Sequence, residues 1–291
     1  MVVRPTSSVK SCACRWRSLS ALVGVAICLE ALAEPSRLRL SRVSVPVEGG
    51  SPLSGLRVAH MSDLHVGGAG WRVGMLERAI EVCNRMQVDL VAITGDLIGS
   101  ADGVPHAVGL LSRLREDVPR LAVLGNHDHV HGKRSLEALL DGMVRLGIVV
   151  LRNDAVVVSS RRARLWVAGV DDGYSMRDDL GRVLARVRSA GLPKILLSHY
   201  PDVAEQVRPG EFSLVLAGHS HGGQIRAPVV AALASNLHAR TRYLRGLYRV
   251  NGNPLYVSAG LGVSGVPFRF LNVPELTTIT FEPMQDFGDG G

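Results

Sequence analysis

Polar and apolar positions alternate along "RLRLSRVSVPV" (37–47), which predicts a half-buried strand. A glycine, serine and proline loop, "GGSPLSG" (49–55), follows it. Beyond that loop one unit recurs: a short apolar strand, a loop ending in polar residues, then a stretch of helical period. Strands are predicted at 56–62, 88–94, 120–125, 164–170, 194–199, 212–218, 254–260 and 276–282. Helical periodicity fills 72–86, 103–116, 133–146, 177–190 and 201–208. Strands alternating with helices predict an α/β layered fold. These strands are apolar on both faces, so helices or a second sheet must cover both sides. The last residues, "QDFGDGG", read as a frayed tail.

The length, 291 residues, suits one large domain or two small ones, and the 46% hydrophobic content is ample for a core. Aromatics make up only 4%, so that core must be aliphatic. The net charge of +7 admits an anionic partner, yet an ordinary basic surface explains it equally well. The cysteines, Cys12, Cys14, Cys28 and Cys83, match neither a zinc finger nor a disulfide framework.

The N-terminus stands apart. Arg4, Lys10, Arg15 and Arg17 precede the apolar run "LSALVGVAICLEALA" (19–33). That is the layout of an export signal, with Ala31 and Ala33 framing a small-residue cleavage site. The run is short against the roughly 20 residues of a membrane span, and Glu30 interrupts it. Cleaved signal, retained anchor and plain helix all remain open. Residues 1–34 are therefore set apart as a signal peptide or membrane-anchor segment, and 35–291 as the domain. Membrane association through 19–33 would place the domain at the cell envelope, on either face.

Chemistry gathers where the predicted strands end. The first delivers Asp63 and His65 in "HMSDLHVGG", and the second Asp96 in "ITGDLIG". The third delivers Asn126, His127 and Asp128 in "VLGNHDHVHG". His199 follows the fifth in "LLSHYPD", and His219 and His221 follow the sixth in "LAGHSHGGQ". In open α/β sheets ligands bind beyond the carboxyl ends of the strands, so these groups can converge on one crevice. A single Asp-x-His carries almost no information; five such strand ends together indicate a metal site. Asp63, His65, Asp96, Asn126, His199, His219 and His221 supply more donors than one ion holds, which implies two. Asp96, from the middle of the set, is the natural bridge. Two divalent cations so held activate a bridging water as hydroxide and clamp a phosphoryl group for in-line displacement. Imidazole and carboxylate ligands without thiolate suit Mn, Fe, Zn or Co.

The ordered blocks Asp63-Leu64-His65, Gly95-Asp96, Gly125-Asn126-His127-Asp128, His199 and Gly218-His219-Ser220-His221 resemble the calcineurin-like metallophosphoesterase family. The C-terminal "SAGLG", "PFRF" and "PE" segments resemble its bacterial membrane-associated branch. The resemblance implies a two-sheet β-sandwich flanked by helices, with a dimetal site at the C-terminal ends of the strands. It implies that Asp63, His65 and His221 hold one metal, that Asn126, His199 and His219 hold the other, and that Asp96 bridges them. It further implies that His127 acts on the transferring phosphoryl group or the leaving oxygen and that Asp128 orients it. The expected activity is hydrolysis of a phosphodiester or pyrophosphate bond in a phosphorylated small molecule or lipid. Cleavage of UDP-2,3-diacylglucosamine is the narrower alternative. A nuclease is disfavoured because no aromatic stacking surface is evident, and intact metal motifs disfavour a non-catalytic binding protein. Oligomeric state is not specified.

Weaker features remain. His129 and His131 are expected to be solvent-facing loop residues, and Asp171 and Asp172 a structural turn. Arg240, Arg242, Arg245, Arg249 and Arg269 read as a solvated basic face or an anionic-headgroup contact. The apolar stretch "APVVAALASNL" (227–237) reads as a lipid-facing element or an ordinary core helix.

Overall fold

The computed structural model describes residues 21–187, 191–226 and 240–284. The N-terminal basic residues, the 227–237 stretch and the C-terminal tail lie outside these. Two six-stranded sheets form the body. The first runs, edge to edge, β1 (Arg39–Val47), β12 (Glu275–Pro283), β2 (Arg57–Met61), β3 (Leu90–Thr94), β4 (Arg120–Val123) and β5 (Val149–Val150). The second runs β10 (Gly246–Val250), β11 (Asn253–Val257), β9 (Leu214–Ala217), β8 (Lys194–Leu197), β7 (Arg164–Gly169) and β6 (Asp154–Ser159). Within each sheet the central strands are parallel: β2, β3 and β4 in one, β7, β8 and β9 in the other. Their carboxyl ends open on one edge, where Asp96, after β3, meets His199, after β8, at 3.3 Å.

The two-residue period of a strand explains the layering. In β3, Leu90 and Ala92 face the second sheet, while Val91 and Ile93 face the helices. In β9, Leu214 and Leu216 point to the first sheet, and Val215 and Ala217 away from it. The cluster between the sheets is aliphatic apart from Tyr256 and Phe281. Helices α2 (Val73–Arg85), α3 (Gly103–Leu111) and α5 (Lys133–Arg145) cover the outer face of the first sheet. Helix α6 (Leu180–Arg186) and a 3-10 turn, Pro201–Gln206, cover the second. The result is the expected two-sheet sandwich flanked by helices.

Three strands escape the sequence pattern: β5, β6 and β10. The last pairs with β11 through Asn251 and Gly252, both at positive φ (47° and 78°), as a two-residue hairpin demands. The helix expected over 201–208 is the shorter 3-10 turn instead, because Pro209 biases its predecessor away from helical backbone. A short helix not predicted, α4 (Asn126–Val130), starts on the third strand-end motif. Residues 21–33 are helical (α1), and among the described residues no helix is long and apolar enough to cross a membrane.

Candidate dimetal site

The residues after β2, β3 and β9 turn sharply, and the donors sit at those turns. Asp63, His65, Asp96, His219 and His221 all adopt positive φ, between 46° and 70°. A non-glycine residue there is strained by roughly 1–3 kcal/mol and persists only where its surroundings fix it. Backbone bonds supply that fixing: Asp63 N–H donates to Gly95 O (3.0 Å), His65 N–H to Asp96 O (2.9 Å) and Gly218 N–H to His199 O (3.1 Å). The motif glycines leave room for the carboxylates. A Cβ on Gly125 would lie 2.2 Å from Asp96 Oδ1, and one on Gly218 would lie 2.4 Å from Asp63 Oδ2.

The seven expected donors meet at the shared strand edge as two groups. In one, His65 Nε2 lies 3.0 Å from His221 Nε2, which lies 3.5 Å from Asp63 Oδ1. In the other, Asn126 Oδ1 lies 3.2 Å from His199 Nε2 and 3.1 Å from His219 Nδ1. Asp96 Oδ2 lies 3.3 Å from both His65 Nε2 and His199 Nε2, so it belongs to both groups. Donor atoms of Asp63, His65, Asp96 and His221 all fall within 4.8 Å of one another and are buried. Buried nitrogens and carboxylate oxygens converging this closely fit divalent cations of the Mn, Fe, Zn or Co kind. His199 Nδ1 faces Thr94 O at 2.8 Å, which leaves Nε2 for a ligand.

Charge is concentrated here. Burial pushes Asp63 up, whereas for Asp96 the same burial is overcome by His199 and His65, and its carboxyl titrates well below the usual range. Burial alone would lower His199, yet Asp96 and Asp63 raise it to about 10. His221 goes well below the ordinary imidazole value through burial and its neighbours His65 and Arg269. A carboxylate and imidazoles that perturb one another this strongly are the signature of a functional site.

His127 stands beside these groups. Its ring meets that of His65 at 4.6 Å between centroids, its backbone N–H donates to Asp96 Oδ1 (2.8 Å), and Nε2 contacts Ser264 Oγ (3.3 Å). Burial lowers its pKa. Asp128 is not placed to orient that ring. Its Oδ1 accepts Leu97 and Ile98 N–H and its Oδ2 accepts Gly125 N–H, so it ties β4's end to β3's end. The resemblance implied a side-chain pair with His127; the tight turn directs the carboxylate to backbone instead.

Three further expectations are corrected. His129 is not solvent-facing: its side chain is 6% exposed and pairs with Asp171 at 2.7 Å. The His131 ring also points inward, with a buried Nε2, 6.3 Å from that of His127. Arg269 belongs to no basic surface. It is fully buried and donates to four backbone carbonyls of its own loop, between β11 and β12, which the sequence could not signal because only the folded loop turns them toward it. Asp171 and Asp172 do shape a turn, accepting the Asp172, Tyr174 and Ser175 amides.

Sequence reasoning passed over Tyr174, Tyr200 and Ser264. The Tyr174 and Tyr200 rings lie 4.7 and 5.3 Å from that of His219. In a chain so poor in aromatics, a tyrosine directly after His199 was the available signal. A cavity of about 360 Å³ opens beside the donors. Asp96, Asn126, His127, His219 and His221 form its polar wall, and Tyr174, Ile225, Leu244 and Val266 its apolar one.

Comparison with known proteins agrees with this geometry. The family model for calcineurin-like phosphoesterases matches residues 56–223, from β2 through the last histidine motif. The uncharacterized metallophosphoesterase YkuE of Bacillus subtilis is 31% identical over 233 residues, 78% of this chain and 79% of that protein. A second B. subtilis relative, YkoQ, is 27% identical over 265 residues, 89% of this chain and 96% of its own length. A transmembrane protein with a metallophosphoesterase domain from Danio rerio is 32% identical across 82% of this chain, which spans 56% of that protein. With its two-sheet fold and a buried cluster of metal-ligand type, the chain is a metal-dependent phosphoesterase and belongs to the calcineurin-like phosphoesterase family.

Proposed function

We propose that this protein hydrolyses a phosphodiester or pyrophosphate bond at a two-metal site, on an envelope or lipid-linked substrate. One observation carries the reading: Asp96 Oδ2 stands 3.3 Å from a histidine of each donor group, where a bridging carboxylate must be. Asp63, His65 and His221 would hold one cation and Asn126, His199 and His219 the other. Bound there, two cations would activate water near neutral pH and neutralise phosphoryl oxygens. The chain's own residues do the rest. His127, whose pKa burial lowers, would offer an N–H hydrogen bond to the phosphoryl group or, in its protonated form, a proton to the leaving oxygen. Ser264 holds its ring. The products are a phosphomonoester and the released alcohol or second phosphate.

The apolar wall of the cavity supports a substrate with an apolar group near its phosphorus. Membrane association is supported by the helical residues 21–33, whose Leu22 and Leu29 side chains are 67% and 62% exposed. A relative named as a transmembrane protein is consistent with it. The same wall supports UDP-2,3-diacylglucosamine as the narrower substrate. The test is hydrolysis of bis(p-nitrophenyl) phosphate and of that lipid nucleotide by the Mn²⁺-loaded chain, beside Asp96→Asn. Metal-dependent cleavage of either substrate, abolished in the variant, is expected. Cleavage that survives chelation or the variant would overturn the reading.

A further inference from the structure

The chain enters the domain through a contact that ends on the metal site. After the helical residues 21–33 it makes a 3-10 turn, Glu34–Ser36, and continues into β1. Ala31 O accepts the Arg269 backbone N–H at 3.1 Å. Glu34 is only 2% exposed. Its carboxylate accepts Leu271 N–H (2.8 Å) and Asn272 N–H. These bonds hold a strained loop, since Leu271 sits at φ 56°.

That loop in turn holds donors. The Asn272 amide donates to His221 O. The Arg269 guanidinium donates to Ala259 O (2.8 Å), Gly260 O (3.2 Å) and Gly262 O (2.6 Å). The loop so gathered closes on the first motif, where Leu261 N–H donates to Ser62 O (2.9 Å) and Gly262 N–H to Asp63 O (2.6 Å). A Cβ on Gly260 would lie 2.7 Å from Asp63 Cβ. Each route from Glu34 thus reaches Asp63 or His221. In the other half Asn126 and His199 are held from elsewhere, by α4 and by Thr94 O, and only His219 is linked, its backbone N–H donating to Asp63 Oδ1 at 3.1 Å.

We propose that Glu34 is a positioning residue for the half-site of Asp63, His65 and His221. This rests on the two-metal reading above.

The test is Mn²⁺ binding by the full chain in detergent micelles after chelation, followed by calorimetry. Two binding steps are expected for the wild type; fewer than two would overturn the two-metal reading and this proposal with it. Glu34→Ala is combined separately with His199→Ala, which leaves the Asp63 half, and with His221→Ala, which leaves the Asn126 half. Glu34→Ala is expected to weaken binding about tenfold or more in the first background and less than about twofold in the second. Glu34→Gln, whose neutral oxygen still accepts an N–H, is expected to fall between Ala and wild type. Glu30→Ala, which removes only a surface pair with Arg37, is expected to change nothing. Equal weakening in both backgrounds, or none in either, contradicts the proposal even while wild type binds two ions. If Glu34→Ala loses its cooperative thermal transition, the Gln variant decides by the same criterion.

Discussion

Of the two proposed half-sites, that of Asn126, His199 and His219 is braced by α4 and a neighbouring strand, whereas that of Asp63, His65 and His221 lies under the loop between β11 and β12. His199 follows β8 within two residues and leans on Thr94 O of the neighbouring sheet. Asn126 opens a helix whose start is tied to β3 by Asp128. Asp63 follows β2 as closely, and its N–H and that of His65 bond to the turn after β3, but both sit at positive φ under a glycine-rich loop gathered by one buried guanidinium. The contrast teaches that a symmetric donor set need not have symmetric support. Disturbing the loop half acts through several weak links at once, and disturbing the strand half requires breaking a sheet.

The largest effect is expected where the halves meet. Asp96→Asn is expected to lower turnover on the order of a thousandfold and to weaken both metal-binding steps. Turnover with saturating Mn²⁺ and metal content by mass spectrometry check it; retention of both ions would remove Asp96 from the bridge. Arg269→Met tests the loop half alone. It leaves the carbonyls of Ala259, Gly260, Gly262 and Asn272 without their donor, at a cost of about 3 kcal/mol or more in unfolding free energy. Urea denaturation measures this, and the binding step of the Asp63 half is expected to weaken with it while the other stands.

His127→Ala separates chemistry from metal holding. It is expected to lower turnover more than about tenfold with both ions retained. Parallel loss of metal and activity would make His127 part of the strand half's support. The smallest effect comes from His60, beneath both halves, whose Nε2 meets Thr94 Oγ1 at 2.8 Å. Burial lowers its pKa from 6.5 to about 3, so it stays neutral in the folded chain while the unfolded chain protonates below 6.5. Its contribution to stability is present above pH 6.5 and is lost as the pH falls toward 3. Between pH 6 and pH 5 that loss is about 1 kcal/mol, and His60→Gln is expected to remove it. Denaturation of the chelated protein at both pH values shows whether the slope changes.

The sequence exposes the donors of both halves, but not what supports them. Each donor sits at the end of an apolar run, so the alternation of strands and helices places Asp63, Asp96, Asn126, His199 and the two late histidines at one edge. The supports of the loop half are not legible in the same way. Glu34 lies 237 residues from Leu271, and no local period links them. Read alone, it falls within the N-terminal leader. Arg269 reads as one of many surface arginines, because only the folded loop shows how many carbonyls need a donor. Asp128 and His129 show the same limit: their neighbours in sequence are not their partners. The β10–β11 hairpin was readable from Asn251-Gly252, a turn signal embedded in a segment dominated by the family motif.

The most direct measurement is anomalous diffraction from crystals of the Mn²⁺-loaded chain. Two peaks roughly 3.5–4 Å apart are expected, one among Asp63, His65 and His221, the other among Asn126, His199 and His219, with Asp96 touching both. A single peak, or a second one remote from Asp96, would contradict the two-metal account.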